Sequence, residues 1–130
     1  MFKTILFPVD QSREAREAAD IVADLIKIHS SDLIILSVVE KKEGSAMNSE
    51  SEVAKILEGA KALFSQQGIE AQIIEKEGIA SFAICDVADE VNADLIVMGC
   101  RGLGLIEDGT SESVTNRVIN LSPCPVLVVP

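Results

Sequence analysis

Short apolar runs alternate with longer stretches of helical spacing along the whole chain. Residues 3–9 (Lys-Thr-Ile-Leu-Phe-Pro-Val) form an apolar run closed by Pro8 and Asp10, which predicts a buried strand. Over 12–29, Ala15, Ala18, Ala19, Val22, Leu25 and Ile26 fall on one stripe, which predicts a helix with Asp10 or Ser12 as its cap. Leu33–Val39 is a second buried strand, and 40–49 is a charged, Gly-containing loop. Ser49-Glu50-Ser51-Glu52 offers a capping box for a helix whose apolar face holds Val53, Ile56, Leu57, Ala60, Leu63 and Phe64. Gly68 closes that helix. A less buried strand follows at 70–75, then a turn at Gly78, and a helix marked by Ile84, Val87, Ala88 and Val91. Asp94–Gly99 is a further apolar strand, and 99–112 is a loop rich in Gly and acids. Val114, Val118 and Leu121 mark a short helix, Ser122-Pro123-Cys124-Pro125 a stiff turn, and Val126–Val129 a last strand.

The order β-α-β-α-β-α-β-α-β calls for parallel strands, right-handed crossovers and helices on both faces. The expected fold class is α/β. It is a three-layer sandwich around a five-stranded parallel sheet of order 3-2-1-4-5, in a single domain over 1–130. No internal repeat interrupts the pattern.

Composition narrows the function classes. The 130 residues suffice for a core without disulfides, and with neither Trp nor Tyr that core is aliphatic. A net charge of −10 with scattered Lys and Arg opposes nucleic acid and anionic lipid, so neither is an expected partner. Cys85, Cys100 and Cys124 match no zinc spacing, and no metal site is expected from them. No apolar run reaches the length of a membrane span, and the segment after Met1 is too short for a signal-peptide core. The expectation is a cytoplasmic protein.

In an open doubly wound sheet, ligands bind at the carboxyl ends of the strands where the strand order reverses. Here that point lies between Pro8-Val9-Asp10 and Met98-Gly99. Gly99-Cys100-Arg101-Gly102-Leu103-Gly104 follows a buried strand directly, and glycines there let backbone N–H groups approach an anion. Ser111, Ser113 and Thr115 stand at the start of the next helix, where free N–H groups suit phosphate. A plain glycine turn followed by an ordinary helix cap would read the same way.

Three ordered blocks resemble the universal stress protein family across nearly the whole chain. They are Ile5-Leu6-Phe7-Pro8-Val9-Asp10, then Asp94-Leu95-Ile96-Val97-Met98-Gly99 with Arg101-Gly102, and Ser113-Val114-Thr115 leading to Pro123-Cys124-Pro125-Val126-Leu127-Val128-Val129. The resemblance implies an ATP or AMP ligand, with Mg²⁺ as a candidate companion, and a homodimer through Val126–Val129. It implies that Pro8, Val9 and Asp10 flank adenine and ribose, that Val38 packs near the base, and that Met98 closes the pocket. Gly99, Arg101, Gly102, Ser113 and Val114 would meet the phosphates. The family pattern G-x2-G-x9-G-(S/T) gives Gly99, Gly102 and Ser113, but Glu112 stands where the third glycine belongs. Like charges about 5 Å apart repel by roughly 3 kcal/mol at an intermediate dielectric, which would weaken binding about a hundredfold. Weak or altered nucleotide binding is therefore the expectation, and a nucleotide-independent dimeric interaction module of the same fold is the alternative.

The remaining candidates have plainer readings. Asp10 also suits a helix cap, and Arg101 also suits an ion pair with Glu107, Asp108 or Glu112. Cys100 beside Arg101 is a possible redox thiol, and Cys85 and Cys124 read as core or turn residues. His29, the sole histidine, stands at a helix C-terminus and leaves no triad to build. No base and nucleophile constellation emerges, so at most a slow ATPase is expected.

Overall fold

In the computed structural model the described residues are 2–9, 13–39, 50–99 and 114–130, with side chains described for all of these except 13–16, 50 and 51. The elements are β1 (Thr4–Pro8), α1 (Arg13–His29), β2 (Asp32–Val39), α2 (Glu50–Ser65), β3 (Ala71–Glu77), α3 (Ala80–Glu90), β4 (Leu95–Gly99), α4 (Val114–Leu121) and β5 (Val126–Val129). They form one parallel sheet in the order β3-β2-β1-β4-β5. The expected strand order 3-2-1-4-5 is thus found.

Side-chain alternation sorts the core into two layers, because successive strand residues point to opposite faces. On one face Ile5, Phe7, Val9, Leu33, Ile35, Leu95 and Val97 meet Ala18, Val22 and Ile26 of α1 and Val53, Leu57 and Phe64 of α2. On the other, Leu6, Ile34, Leu36, Ile96 and Met98 meet Ile84, Val87 and Ala88 of α3 and Val118 of α4. The central strands β1 and β4 are buried on both sides, which explains their unbroken apolar runs. Edge strand β3 is only partly buried, and it runs two residues beyond the expected 70–75.

Leu63 departs from expectation, being 42% exposed. At 100° per residue, buried Val53, Leu57 and Phe64 mark the centre of the α2 stripe, and Leu63 lies at its margin beyond Ile56 and Ala60. The end of α2 follows the Schellman pattern. Gly68, at φ +77°, donates to Ser65 O (3.0 Å), and the next N–H, from Ile69, donates to Phe64 O (3.0 Å).

At the amino end of the sheet, one carboxylate oxygen of Asp94 accepts the N–H groups of Lys3 (3.1 Å) and Thr4 (2.9 Å). This ties the start of β1 to the start of β4, the one junction in the sheet made by strands distant in sequence. His29 packs its ring edge-on to Phe2 at 5.4 Å, a structural contact at the end away from the strand tips.

Candidate functional site

The carboxyl end of the sheet opens between β1 and β4. Their last register pair is Leu6 with Ile96, although β1 continues to Pro8 and β4 to Gly99. The cause is visible in the hydrogen-bond alternation. Val9 N–H donates to Leu36 O of β2 (2.8 Å), so Ile5, Phe7 and Val9 turn their peptide groups toward β2, while Leu6 and Pro8 turn theirs toward β4. Proline has no N–H to give. The ladder to β4 therefore stops at Pro8, and the two strands part where the strand order reverses.

Each strand tip beside this crevice is held by a specific contact. The Ser37 hydroxyl, 3% exposed, donates to Val9 O at 3.1 Å and anchors the end of β1 on β2. Gly78 N–H donates to Val39 O (3.0 Å) and ties the β3–α3 turn to the tip of β2. Gly99 belongs to the β4 residues that face β1, because Ile96 N–H donates to Pro125 O on the β5 side and the direction alternates from there. Its carbonyl accepts the Thr115 hydroxyl at 3.1 Å, which docks the first turn of α4 onto the tip of β4. Thr115 is 4% exposed.

Val38 differs from its neighbours. By the same alternation its N–H and C=O face the β1 side, past the β1–β2 register that ends at Pro8 and Leu36. Neither group has a hydrogen-bond partner among the described residues. Val38 is half-buried between buried Ser37 and Val39. An N–H and a C=O on one residue, at a partly open strand tip, present a donor and an acceptor side by side.

Of the residues singled out in the sequence, Pro8, Val38 and Met98 lie on the sheet face covered by α3 and α4, and half-buried Val114 packs there too. Val9 points to the opposite face, under α1. Met98 is 0% exposed and is part of the floor beneath the crevice. Gly99 is buried at its edge. Asp10, Arg101, Gly102 and Ser113 lie outside the described residues, as do Glu107, Asp108, Glu112 and Cys100. Ser37 was missed in the sequence, although it is the one polar residue within the run Leu33–Val39 and so carried a signal.

Among the described residues no group of three or more His, Cys, Asp or Glu is arranged to hold a metal ion. No helix there is long and apolar enough to cross a membrane.

Three comparisons bear on this geometry. The chain matches the Universal stress protein family over residues 1–130. It belongs to the universal stress protein family. Universal stress protein Sll1654 of Synechocystis sp. is 71% identical, across 100% of this chain and 87% of that protein. The solved structure of the protein MJ0577 is 31% identical with a TM-score of 0.83, covering 99% of this chain and 96% of that one. A universal stress protein crystallised in complex with cAMP is 25% identical with a TM-score of 0.80, covering 99% of this chain and 97% of that chain.

Cys85 on α3 and Cys124 before β5 are free and half-buried against the α3–α4 face. Desolvation pushes both thiols above their usual pKa, with Asp86 adding to the effect at Cys85, while the Ser122 hydroxyl partly offsets it at Cys124.

Proposed function

We propose that this universal stress protein binds an adenine nucleotide, ATP or AMP, in the crevice between β1 and β4, and that occupancy regulates its contacts with partner proteins. The observation that supports this reading is the peptide pair of Val38, which has no hydrogen-bond partner among the described residues. Adenine offers an acceptor at N1 beside a donor at the 6-amino group, which complements one N–H and one C=O on a single residue. Pro8, Val9 and Met98 would bound the base, Asp10 would take the ribose, and Gly99, Arg101, Gly102, Ser113 and Val114 would meet the phosphates, with Mg²⁺ as a companion ion. The cAMP-bound relative supports the ligand class. Glu112, at the position of the motif's third glycine, makes the phosphate arm weak. The reading is of binding and sensing, not turnover. Free Cys85 and Cys124 fit a reducing, cytoplasmic setting.

A calorimetric titration compares AMP with IMP. Hypoxanthine reverses the pattern, setting N1–H against the Val38 N–H and O6 against the Val38 C=O. Two mismatched groups at about 1 kcal/mol or more each predict at least about thirtyfold weaker binding of IMP. Glu112→Gly should tighten AMP in the same assay. Equal affinities for AMP and IMP, or no heat with either at millimolar nucleotide, would overturn the adenine reading.

A second reading is a dimeric interaction module that acts without nucleotide. Two observations favour it: Glu112 in the motif, and the position of β5 at the sheet edge. Leu127 on β5 is 38% exposed, and Ile119 and Leu121 on α4 are each 49% exposed. An unpaired edge flanked by apolar side chains suits a second copy joined along Val126–Val129.

A further inference from the structure

α3 starts at the carboxyl end of the sheet, immediately after the Gly78 turn, and runs back over the face that carries Pro8, Val38 and Met98. Its buried stripe includes Ser81, Ile84 and Ala88, spaced i, i+3 and i+7. Ile84 packs in one cluster with Leu36, Met98 and, at its border, Val38. Ser81 stands three residues nearer the strand tips than Ile84, about 4.5 Å along the helix axis. That places it at the level of the crevice on the same face as Val38.

The Ser81 hydroxyl is the described side-chain polar atom that is buried with no hydrogen-bond partner, and the residue is only 1% exposed. Ser37 and Thr115, the other buried polar side chains at these tips, each satisfy a backbone carbonyl. A buried hydroxyl without a partner is unfavourable, and alanine would fill the site with no such penalty. The α3 N-cap, Ile79, supplies no side-chain hydrogen bond either.

We propose that Ser81 is a specificity-determining contact of the nucleotide site, its hydroxyl hydrogen-bonding a ring nitrogen of the purine on an edge other than the one that Val38 reads. This rests on the adenine reading above. Because the hydroxyl is closed to water, the first turn of α3 must yield for the base in the crevice between β1 and β4 to reach it. Binding then supplies the partner that the empty site lacks.

The test uses Ser81→Ala with AMP, 3-deaza-AMP and 7-deaza-AMP, together with thermal unfolding of the ligand-free protein. Ligand-free Ser81→Ala should melt at or above the wild-type temperature, because no hydrogen bond is lost. AMP affinity should fall about five- to tenfold. One deaza analogue should bind wild type more weakly than AMP, and that penalty should vanish in Ser81→Ala. Unchanged AMP affinity in the variant, or deaza penalties equal in both proteins, overturns the Ser81 contact while leaving the Val38 reading intact. A clear drop in ligand-free melting temperature also overturns it, since the hydroxyl would then be bonded within the fold. If wild type binds no AMP, both fall together.

Discussion

Thr115→Val separates a hydroxyl that builds the fold from one that waits for a ligand. Thr115 stands in the first turn of α4, where a sequence reader assigns hydroxyls to phosphate. In the structure its hydroxyl instead donates to Gly99 O at 3.1 Å and the residue is 4% exposed. Valine keeps the branched shape and removes the donor, leaving a buried carbonyl unpaired. That loss costs about 1–3 kcal/mol, and the added methyl group offsets part of it, up to about 0.8 kcal/mol. The net expectation is about 1–2 kcal/mol. Unfolding entropy scales with chain length, here 130 residues, so this corresponds to a drop of roughly 4–7 °C in melting temperature. Urea unfolding followed by circular dichroism, with no nucleotide present, measures it as a lower midpoint at unchanged slope. Thr115→Ser retains the donor and should recover more than half of the loss. A valine variant within about 0.5 kcal/mol of wild type, or a serine variant as unstable as valine, would refute the docking role of this hydroxyl.

Two further outcomes are expected. In Cys100→Ser protein, Cys85 and Cys124 should alkylate more slowly at pH 7 than an unburied thiol, because raised pKa values lower the thiolate fraction; the rate should climb as pH passes the ordinary thiol range, and full modification within the time of a free thiol at pH 7 would contradict this. Light scattering at tens of micromolar should give a dimer, and Leu127→Lys on the exposed side of β5 should convert it to monomer; a monomeric wild type would remove the edge-pairing proposal.

The fold was legible because each element had an unambiguous period. Leu95–Gly99 is apolar without break and Leu33–Val39 is broken only by Ser37, since both faces of a central parallel strand are covered, and the intervening stripes repeat at helical spacing. Alternation of the two kinds then leaves little choice but parallel strands with crossovers on both faces. The limits of α2 were readable too, from Gly68, whose φ of +77° glycine adopts without strain.

The neighbourhood of the candidate site was legible at coarse grain. Pro8 announced the end of β1, but only the pairing shows that its missing N–H faces β4 and so opens the crevice on that side. Apart from the family resemblance, Val38 read as one of the six apolar residues of Leu33–Val39. Its peptide pair stands out only because, among the described residues, the β1–β2 register ends at Pro8 and Leu36, a fact about pairing between strands that no local pattern encodes. Ser37, Ser81 and Thr115 are ordinary small polar residues in the sequence, and their fates differ because of what lies beside each once the sheet is assembled. Two hydroxyls find the carbonyls of Val9 and Gly99, and one finds nothing. The sequence by itself determined the elements, their order and the end of the sheet where a ligand would lie, because these follow from periodicity and chirality. Tertiary structure alone decided which backbone and hydroxyl groups lack a partner among the described residues there, because a hydrogen-bonding group is left over only relative to the strands and helices packed against it.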